Sequence, residues 1–370
     1  MQTRAAVVWD SGQPWCIEDV ELDPPKAGEV LVRLAASGLC HSDDHVVSGD
    51  MPATPGPIVG GHEGAGVVEE VGPGVTSVVP GDHVVLSCLP SCGRCRWCLS
   101  GAANLCDLGA QLMGGLPLDG TFRTHAKGHG LRRMMGLGTF SPYAVLSEQA
   151  AIKVSPDIPL DVAALVGCGV TTGFGSAVNT GEVAAGETVV VVGIGGIGAA
   201  ALQGARLAGA EQILAIDPVD WKREPAKRFG ATHFASSMEE ALPLLAEMTR
   251  GVMADCAILT VGVARGDMVG PLLSLVRKGG KGVVTAIAPS GDRAANLWLF
   301  ELTLWQKQLR GSLYGGVAPA LMIPKLLSLY QSGLLQLDEM VTRRYELEQV
   351  GEGYADMHAG RNIRGLVTLT

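Results

Sequence analysis

Four cysteines crowd one short stretch, CGRCRWCLSGAANLC, which puts thiols at Cys92, Cys95, Cys98 and Cys106. Such short, regular gaps let a single loop bring four sulfurs around one tetrahedral ion. Zinc is the expected occupant and iron the competitor. A disulfide-stapled loop is the weaker reading: adjacent CxxC pairs close small strained rings, and nothing else in the chain points to an oxidising compartment. Four protein ligands leave no open position, so this metal would brace structure, and any reaction must be sought elsewhere.

A second pattern, GIGGIG over residues 193–198, directly follows the apolar run TVVVV and opens an Ala-rich helical stretch, with Asp217 closing the next strand. That is the context in which a glycine loop grips a dinucleotide. Gly193 permits the tight turn, Gly195 lets backbone N–H groups approach a pyrophosphate, Gly196 and Ile197 open the helix, and Gly198 lets helix and strand pack closely. Asp217 can accept from both ribose hydroxyls and would repel a 2′-phosphate, which selects NAD over NADP. Lys222 and Arg223 lie near enough to modify that choice, and Lys222 is counted among the cofactor residues.

The remaining cysteines are Cys16, Cys40, Cys88, Cys168 and Cys256. Three glycine-flanked segments, GLCHSDDH, GGHEGAG and GCGVTTG, hold Cys40, His62 and Cys168. Two thiolates, one imidazole and an open fourth position would make a catalytic zinc site. Spacing alone does not join residues so far apart. Taken singly, a buried Cys is usually a small hydrophobe and a lone His a hydrogen-bonded core residue.

Cys40, GHE at 61–63, the four-cysteine lobe and GIGGIG occur in one order, and HSDDHVVSGD, GGHEGAGVVEEVG, VGCGVTTGFGSAV and the closing NIRG accompany them. Together they resemble the zinc-containing medium-chain alcohol dehydrogenases over nearly the whole chain. The closest likeness is to actinobacterial members, including nicotinoproteins that keep NAD bound. The resemblance implies two zincs per chain and NAD. It implies Cys40, His62 and Cys168 as catalytic zinc ligands, Glu63 behind the metal, and Asp43 orienting the ligand histidine. It makes Ser42 the hydroxyl that takes the alcohol proton and His45 the base that passes it to solvent. It puts Thr172 at the nicotinamide, and His41 and Arg364 at the pyrophosphate. His41 replaces an arginine common there, which would make cofactor grip pH-sensitive.

The implied reaction converts an alcohol and NAD⁺ to a carbonyl compound and NADH, the metal acidifying the alcohol. Cys88, Met134 and Met135 fall where the family lines its substrate pocket. A small thiol and two pliable methionines suggest room for bulky apolar or aromatic primary alcohols; ordinary core filling is the competing reading. Oxidation of a thiol–formaldehyde adduct is the rival activity. The glutathione-dependent type carries an arginine just beyond the last lobe cysteine and an acidic residue near position 51, where this chain has DLGAQLMGG and Met51. A non-catalytic zinc- and NAD-binding protein is the rival from another class, disfavoured by the joint presence of Cys40, His62, Cys168, Ser42 and His45.

These groups need a scaffold of some size, and 370 residues suffice for two domains with separate cores. With 47% hydrophobic and 18% charged residues, disorder is excluded, and a net charge of −9 with scattered Lys and Arg argues against nucleic-acid or anionic membrane partners. No apolar leader is visible, and with the cysteine usage this favours the cytoplasm. Thr188–Ala205 carries no charge but divides into strand, glycine loop and helix start, which argues against a membrane span.

Residues 4–160 read as short strands (RAAVVW, EVLVRLAASG, GAGVVEEVG, GDHVVL, YAVLS) between Gly/Pro turns, hence an antiparallel barrel or sandwich. The stretch Asp107 to Gly138 reads as an exposed functional excursion and resembles that of dimeric members of the family, which makes a homodimer the expected assembly, with a tetramer next. From about Gly186, strands alternate with helices: QILAID, Ala254–Thr260 and Gly282–Ala288 as strands, and Trp221–Phe229, Met238–Arg250 and Met268–Arg277 as helices. A helix over Pro319–Ser332 precedes a charged, mixed end. The expectation is an α/β protein: a Rossmann doubly wound parallel sheet over 170–313, and a GroES-like, mainly β catalytic domain over 1–169 and 314–370, with the zinc lobe at 88–110.

Overall fold

The computed structural model describes residues 1–51, 56–112 and 114–369. The chain divides into two compact units, Met1–Cys168 with Val317–Thr370, and Gly169–Gly316. Both ends of the second unit thus lie slightly outside the 170–313 read from the sequence.

The first unit contains a closed five-stranded barrel, Gln2–Val8, Cys16–Leu22, Thr124–Ala126, His129–Arg133 and Ile58–Val59 in that order. Alternating side chains fill its interior with Ala5, Val7, Val20, Val59, Ala126 and Leu131. The Asp107 to Gly138 stretch is therefore an exposed excursion only in its first part, where Leu118 to Thr121 are exposed. It supplies two barrel strands, with Leu22 opposite Thr124 and Ile58 opposite Arg132, and it buries Leu131, Met134, Met135 and Leu137. Its basic residues misled because two are inside. Arg123 is 2% exposed and donates to Glu29 at 2.7 Å and Asp119 at 2.8 Å, while Arg133 is buried and its pKa is pushed down to about 10 by that burial.

The other sheet of this unit runs Ala151–Lys153, His83–Leu86, Gly64–Val71, Glu29–Gly38, Arg364–Thr368 and Val341–Tyr345, with Tyr143–Ser147 also on Glu29–Gly38. The charged C-terminal segment is thus an internal strand. Arg364–Thr368 pairs antiparallel with residues 36–38 and parallel with Val341–Tyr345.

The second unit is a six-stranded sheet, in the order His233–Ala235, Gln212–Ile216, Thr188–Val192, Ala254–Leu259, Val276–Val284 and Gln308–Gly311. Every pairing in it is parallel. Strands such as TVVVV are apolar throughout because helices cover both faces of a parallel sheet. The expected Met268–Arg277 helix stops sooner: Val269–Ser274 is helical, and the next strand starts at Val276. The Gly279-Gly280 pair lies inside that strand; a Cβ at Gly280 would stand 2.9 Å from the Asp255 carbonyl oxygen, so glycine allows the chains their close approach.

Among the described residues no single helix is long and apolar enough to cross a membrane, although a bent pair, Leu160–Gly167 with Gly169–Thr180, passes by length and composition. Thr188–Ala205 splits into the Thr188–Val192 strand and the Gly196–Leu207 helix.

Candidate active site

Cys40 follows the strand Glu29–Gly38 and caps the helix His41–Ser48 in an extended conformation; three of the helix's first five residues (Ser42, Asp43 and His45) are buried. His62 and Glu63 precede the strand Gly64–Val71, and Cys168 follows the turn Ala164–Gly167. These elements gather Cys40, His62, Glu63 and Cys168, all buried, with one ligand atom from each lying within 4.8 Å of the others. Asp43 spans the cluster's back: its Oδ1 accepts from Gly61 N at 2.7 Å, and its Oδ2 lies 2.9 Å from His62 Nδ1. With Nδ1 turned to a carboxylate, Nε2 is the free end of the ring, and it is buried without a hydrogen-bond partner.

The charges fit a cation. The Cys168 thiol beside Cys40 holds the Cys40 pKa well below its ordinary value, although burial opposes this, while the Cys168 pKa is driven well above it by the same contact. Burial opposes charge on His62 as well, yet Asp43 and Cys40 raise its pKa well above the usual imidazole range. A thiolate, an orphaned imidazole nitrogen and a second thiol in a closed space are a zinc donor set. Arg364, expected at a pyrophosphate, is tied inward: it is 5% exposed and its Nη2 donates to Glu63 Oε2. Gly38 makes room for this pair, since a Cβ there would collide with Glu63 Oε2 and stand 2.6 Å from Arg364 Nη2.

Around this cluster, the Cys40 thiol lies 3.7 Å from Ser42 Oγ, and Cys88, also buried, hydrogen-bonds with Cys168. Met134 and Met135 sit on the turn after the His129–Arg133 strand, both buried, with Met135 in the left-handed region at φ 49°. Burial holds His41 below its ordinary pKa. Two residues overlooked in the sequence belong here. Tyr354, 4% exposed, donates its hydroxyl to the Cys40 carbonyl at 3.4 Å, and Asp50 faces His45 Nδ1 at 3.1 Å. Tyr354 had no local signal. Asp50 had one, a carboxylate just past the Gly49 helix stop.

In the lobe, Cys92, Cys95, Cys98 and Cys106 also bring their sulfurs within 4.8 Å of one another, and all four are free of disulfides. Backbone groups aim at them: Cys92 N donates to Cys106 Sγ at 3.2 Å and Cys95 N to Cys92 Sγ at 3.3 Å. The Cys98 and Asp107 amides lower Cys95 to about 6, whereas desolvation raises Cys98 to about 12.

The glycine loop lies in the second unit at the point where strand order reverses, between Thr188–Val192 and Ala254–Leu259. Gly193 has φ +95°, and a Cβ on it would stand 2.8 Å from Val261 N. At Gly198 a Cβ would strike the Gly193 carbonyl. At Gly195 it would meet nothing within 4 Å, so that face of the loop is open to a ligand. Thr260, unremarked in the sequence, fixes the loop by donating to the Val192 and Gly193 carbonyls at 2.9 and 2.7 Å. Asp217 Oδ2 accepts from Ile194 N at 2.7 Å and from Lys222 Nζ at 3.1 Å. Ile197 packs its carbonyl against Gly173, and Thr172 is buried one position earlier on the Gly169–Gly175 helix.

A doubly wound dinucleotide unit joined in one chain to a mainly β unit with two zinc-type centres defines a zinc- and nicotinamide-dependent oxidoreductase. A model of the alcohol dehydrogenase GroES-like domain matches residues 26–156, and one of the zinc-binding dehydrogenases matches 196–332. Alcohol dehydrogenase B of Mycobacterium tuberculosis is 50% identical, over 100% of this chain and 99% of its own. The NDMA-dependent alcohol dehydrogenase of Amycolatopsis methanolica is 50% identical over 99% of each chain. The crystal structure of benzyl alcohol dehydrogenase from Acinetobacter calcoaceticus superposes with a TM-score of 0.92 at 29% identity, over 100% of both chains. The chain belongs to the zinc-containing medium-chain alcohol dehydrogenases. It is a zinc-dependent enzyme that interconverts alcohols and aldehydes, with NAD(P) binding typical of its family.

Proposed function

We propose that the chain acts on bulky apolar or aromatic primary alcohols, with NAD as cofactor and Cys40, His62 and Cys168 as the ligands of the catalytic zinc. The carrying observation is the buried His62 Nε2 that lacks a hydrogen-bond partner among two cysteines and a carboxylate. When bound, the zinc supplies Lewis acidity at the alcohol and the nicotinamide accepts the hydride. Asp43 holds the His62 ring, so that Nε2 faces the cluster. Ser42 takes the alcohol proton and His45 receives it. Glu63 and Arg364 form a buried ion pair behind the ligands. Gly193 to Gly198, with Asp217, Lys222 and Thr172, hold the dinucleotide in its own unit. Asp217 is an acceptor-only group at the end of its strand, which favours the ribose diol of NAD.

The small Cys88 side chain beside Cys168 favours a wide pocket, with Met134 and Met135 as pliable walls, and the likeness to a benzyl alcohol dehydrogenase supports the same reading. The NDMA-dependent relative supports tightly held NAD. A panel of aliphatic and aromatic alcohols, each assayed with free NAD and with an artificial electron acceptor, tests all three points. A preference for ethanol over benzylic alcohols refutes the wide pocket, and full activity with free NAD alone refutes tight retention.

We also propose a homodimer. Trp298, Leu299, Phe300 and Leu304 are 54 to 69% exposed, beside Gln308–Gly311, an edge strand of its sheet. Exposed apolar rows and open edges need cover. Light scattering of Leu304→Asp should report a monomer; an unchanged dimer assigns the contact elsewhere.

A further inference from the structure

The helix Val350–His358 buries Val350, Gly353, Tyr354 and Asp356. Gly353 lets it come close to the sheet: a Cβ there would stand 2.3 Å from Leu39 Cδ1, on the residue just before Cys40. The next side chain, Tyr354, therefore reaches the start of the metal cluster. Its hydroxyl donates to the Cys40 carbonyl at 3.4 Å and also hydrogen-bonds with the Asp43 carboxylate. The phenol ring is clamped by two others. Trp15 stacks on it at 5.6 Å and 17°, Phe140 meets it edge-on at 6.3 Å, and Trp15 and Phe140 cross each other at 5.6 Å and 80°. These rings lie against Gly60, where a Cβ would stand 2.3 Å from the indole and 2.7 Å from the Phe140 ring. The chain from Gly60 to His62 is pinned there, with the Gly60 and Gly61 carbonyls accepting from Phe140 N and Thr139 N, both at 2.9 Å.

We propose that Tyr354 is a positioning residue of the catalytic metal centre, fixing its Cys40 and His62 donors together; this rests on the reading of Cys40, His62 and Cys168 as zinc ligands. Two paths meet on the one phenol. Its hydroxyl holds the Cys40 backbone directly, and it holds the Asp43 carboxylate whose Oδ2 lies 2.9 Å from His62 Nδ1. A partner that orients a ligand's own partner sets the direction in which the donor atom points. Through Trp15 and Phe140 the ring also presses on the Gly60-Gly61 turn, which delivers His62 and gives Asp43 Oδ1 its amide donor. Packing alone does not account for the hydroxyl. A phenylalanine would fill the same aromatic cluster, whereas a buried hydroxyl costs desolvation that only its acceptors offset. Tyr354 is 4% exposed, so little room is left for water to replace it.

The test follows metal, with the full chain loaded with zinc and, in parallel, with cobalt in the catalytic position. Tyr354→Phe keeps the ring stack and removes only the hydroxyl. It should weaken binding of one zinc per chain by about ten- to hundredfold against a competing chelator. The other zinc should leave at the wild-type rate, and thermal unfolding should stay cooperative. The visible ligand-field and thiolate-to-cobalt bands should shift, which a role in packing alone would not produce. Trp15→Leu frees the ring without touching a polar group and should give a smaller change of the same kind. Tyr354→Phe with wild-type zinc affinity and an unshifted cobalt spectrum overturns the proposal, as does a loss of both zincs with broadened unfolding, which would make Tyr354 merely structural. His62→Ala tests the reading beneath it: a variant that keeps two zincs removes the ligand set itself, while loss of one zinc there leaves the Tyr354 result to stand alone.

Discussion

The two cysteine-bearing centres are built on opposite plans. One lies within a single loop from Cys92 to Cys106, with three of its four cysteines half-buried and backbone amides aimed at the sulfurs. The other draws Cys40, His62, Glu63 and Cys168 from separate strands and turns, buries all four, and relies on Asp43 and Arg364 to orient or balance them. The lobe is assembled by local chain geometry, the buried cluster by the fold of a whole unit. A local site fails when a ligand is lost. A distributed site also fails when the scaffold shifts beneath it.

The largest expected effect is therefore at the distributed site. His62→Ala should abolish turnover, by at least about a thousandfold, with zinc content falling from two to one per chain and thermal unfolding still cooperative. Retained activity would remove the cluster from the chemistry. Gly38→Ala separates the two plans most directly, because its new Cβ would strike Glu63 without touching a thiol. Loss of one zinc and of most activity is expected, and full zinc with full activity would show that the Glu63–Arg364 pair is dispensable. At the lobe, Cys95→Ala should release the other zinc and cost about 3 kcal/mol, or roughly 10 °C in Tm, while the folded fraction keeps its kcat. A large fall in kcat at unchanged Tm would give the lobe a chemical role.

A smaller effect is expected under the C-terminal strand that delivers Arg364. The Tyr345 hydroxyl, with Arg361 and Arg343, holds the Asp356 carboxyl below its ordinary value of 3.8. Because the folded value is the lower one, the stabilisation is complete above 3.8 and is lost as pH falls through the folded value. Asp356→Asn should flatten the acid limb of the stability profile below that pH. An unchanged limb in denaturant titrations would mean that the network adds nothing to the strand.

This contrast also explains which features were readable in advance. The lobe and the glycine loop are short-range objects, and their spacing carries their geometry. Cys40, His62 and Cys168 have no such spacing, and only likeness to a family joined them before the sheet did. The barrel strands Thr124–Ala126 and His129–Arg133 escaped notice because pairing across a barrel is non-local and because Arg123 and Arg133 disguise an interior as a surface. The strand Arg364–Thr368 was hidden likewise: its partners, residues 36–38 and Val341–Tyr345, are far away or polar in sequence. Asp50 reaches His45 through a left-handed turn at Gly49, a geometry that helical periodicity does not express.

The C-terminal strand has a consequence for biosynthesis. The first unit is interrupted by the whole of Gly169–Gly316, and its central sheet admits Arg364–Thr368 between strands made much earlier and shortly before. A nascent chain emerging from the ribosome can complete its second unit while the first still lacks an interior strand. Arg364 reaches Glu63 only after the strand that carries it has left the exit tunnel, so the buried cluster acquires its counter-charge after the other strands of that sheet have been made.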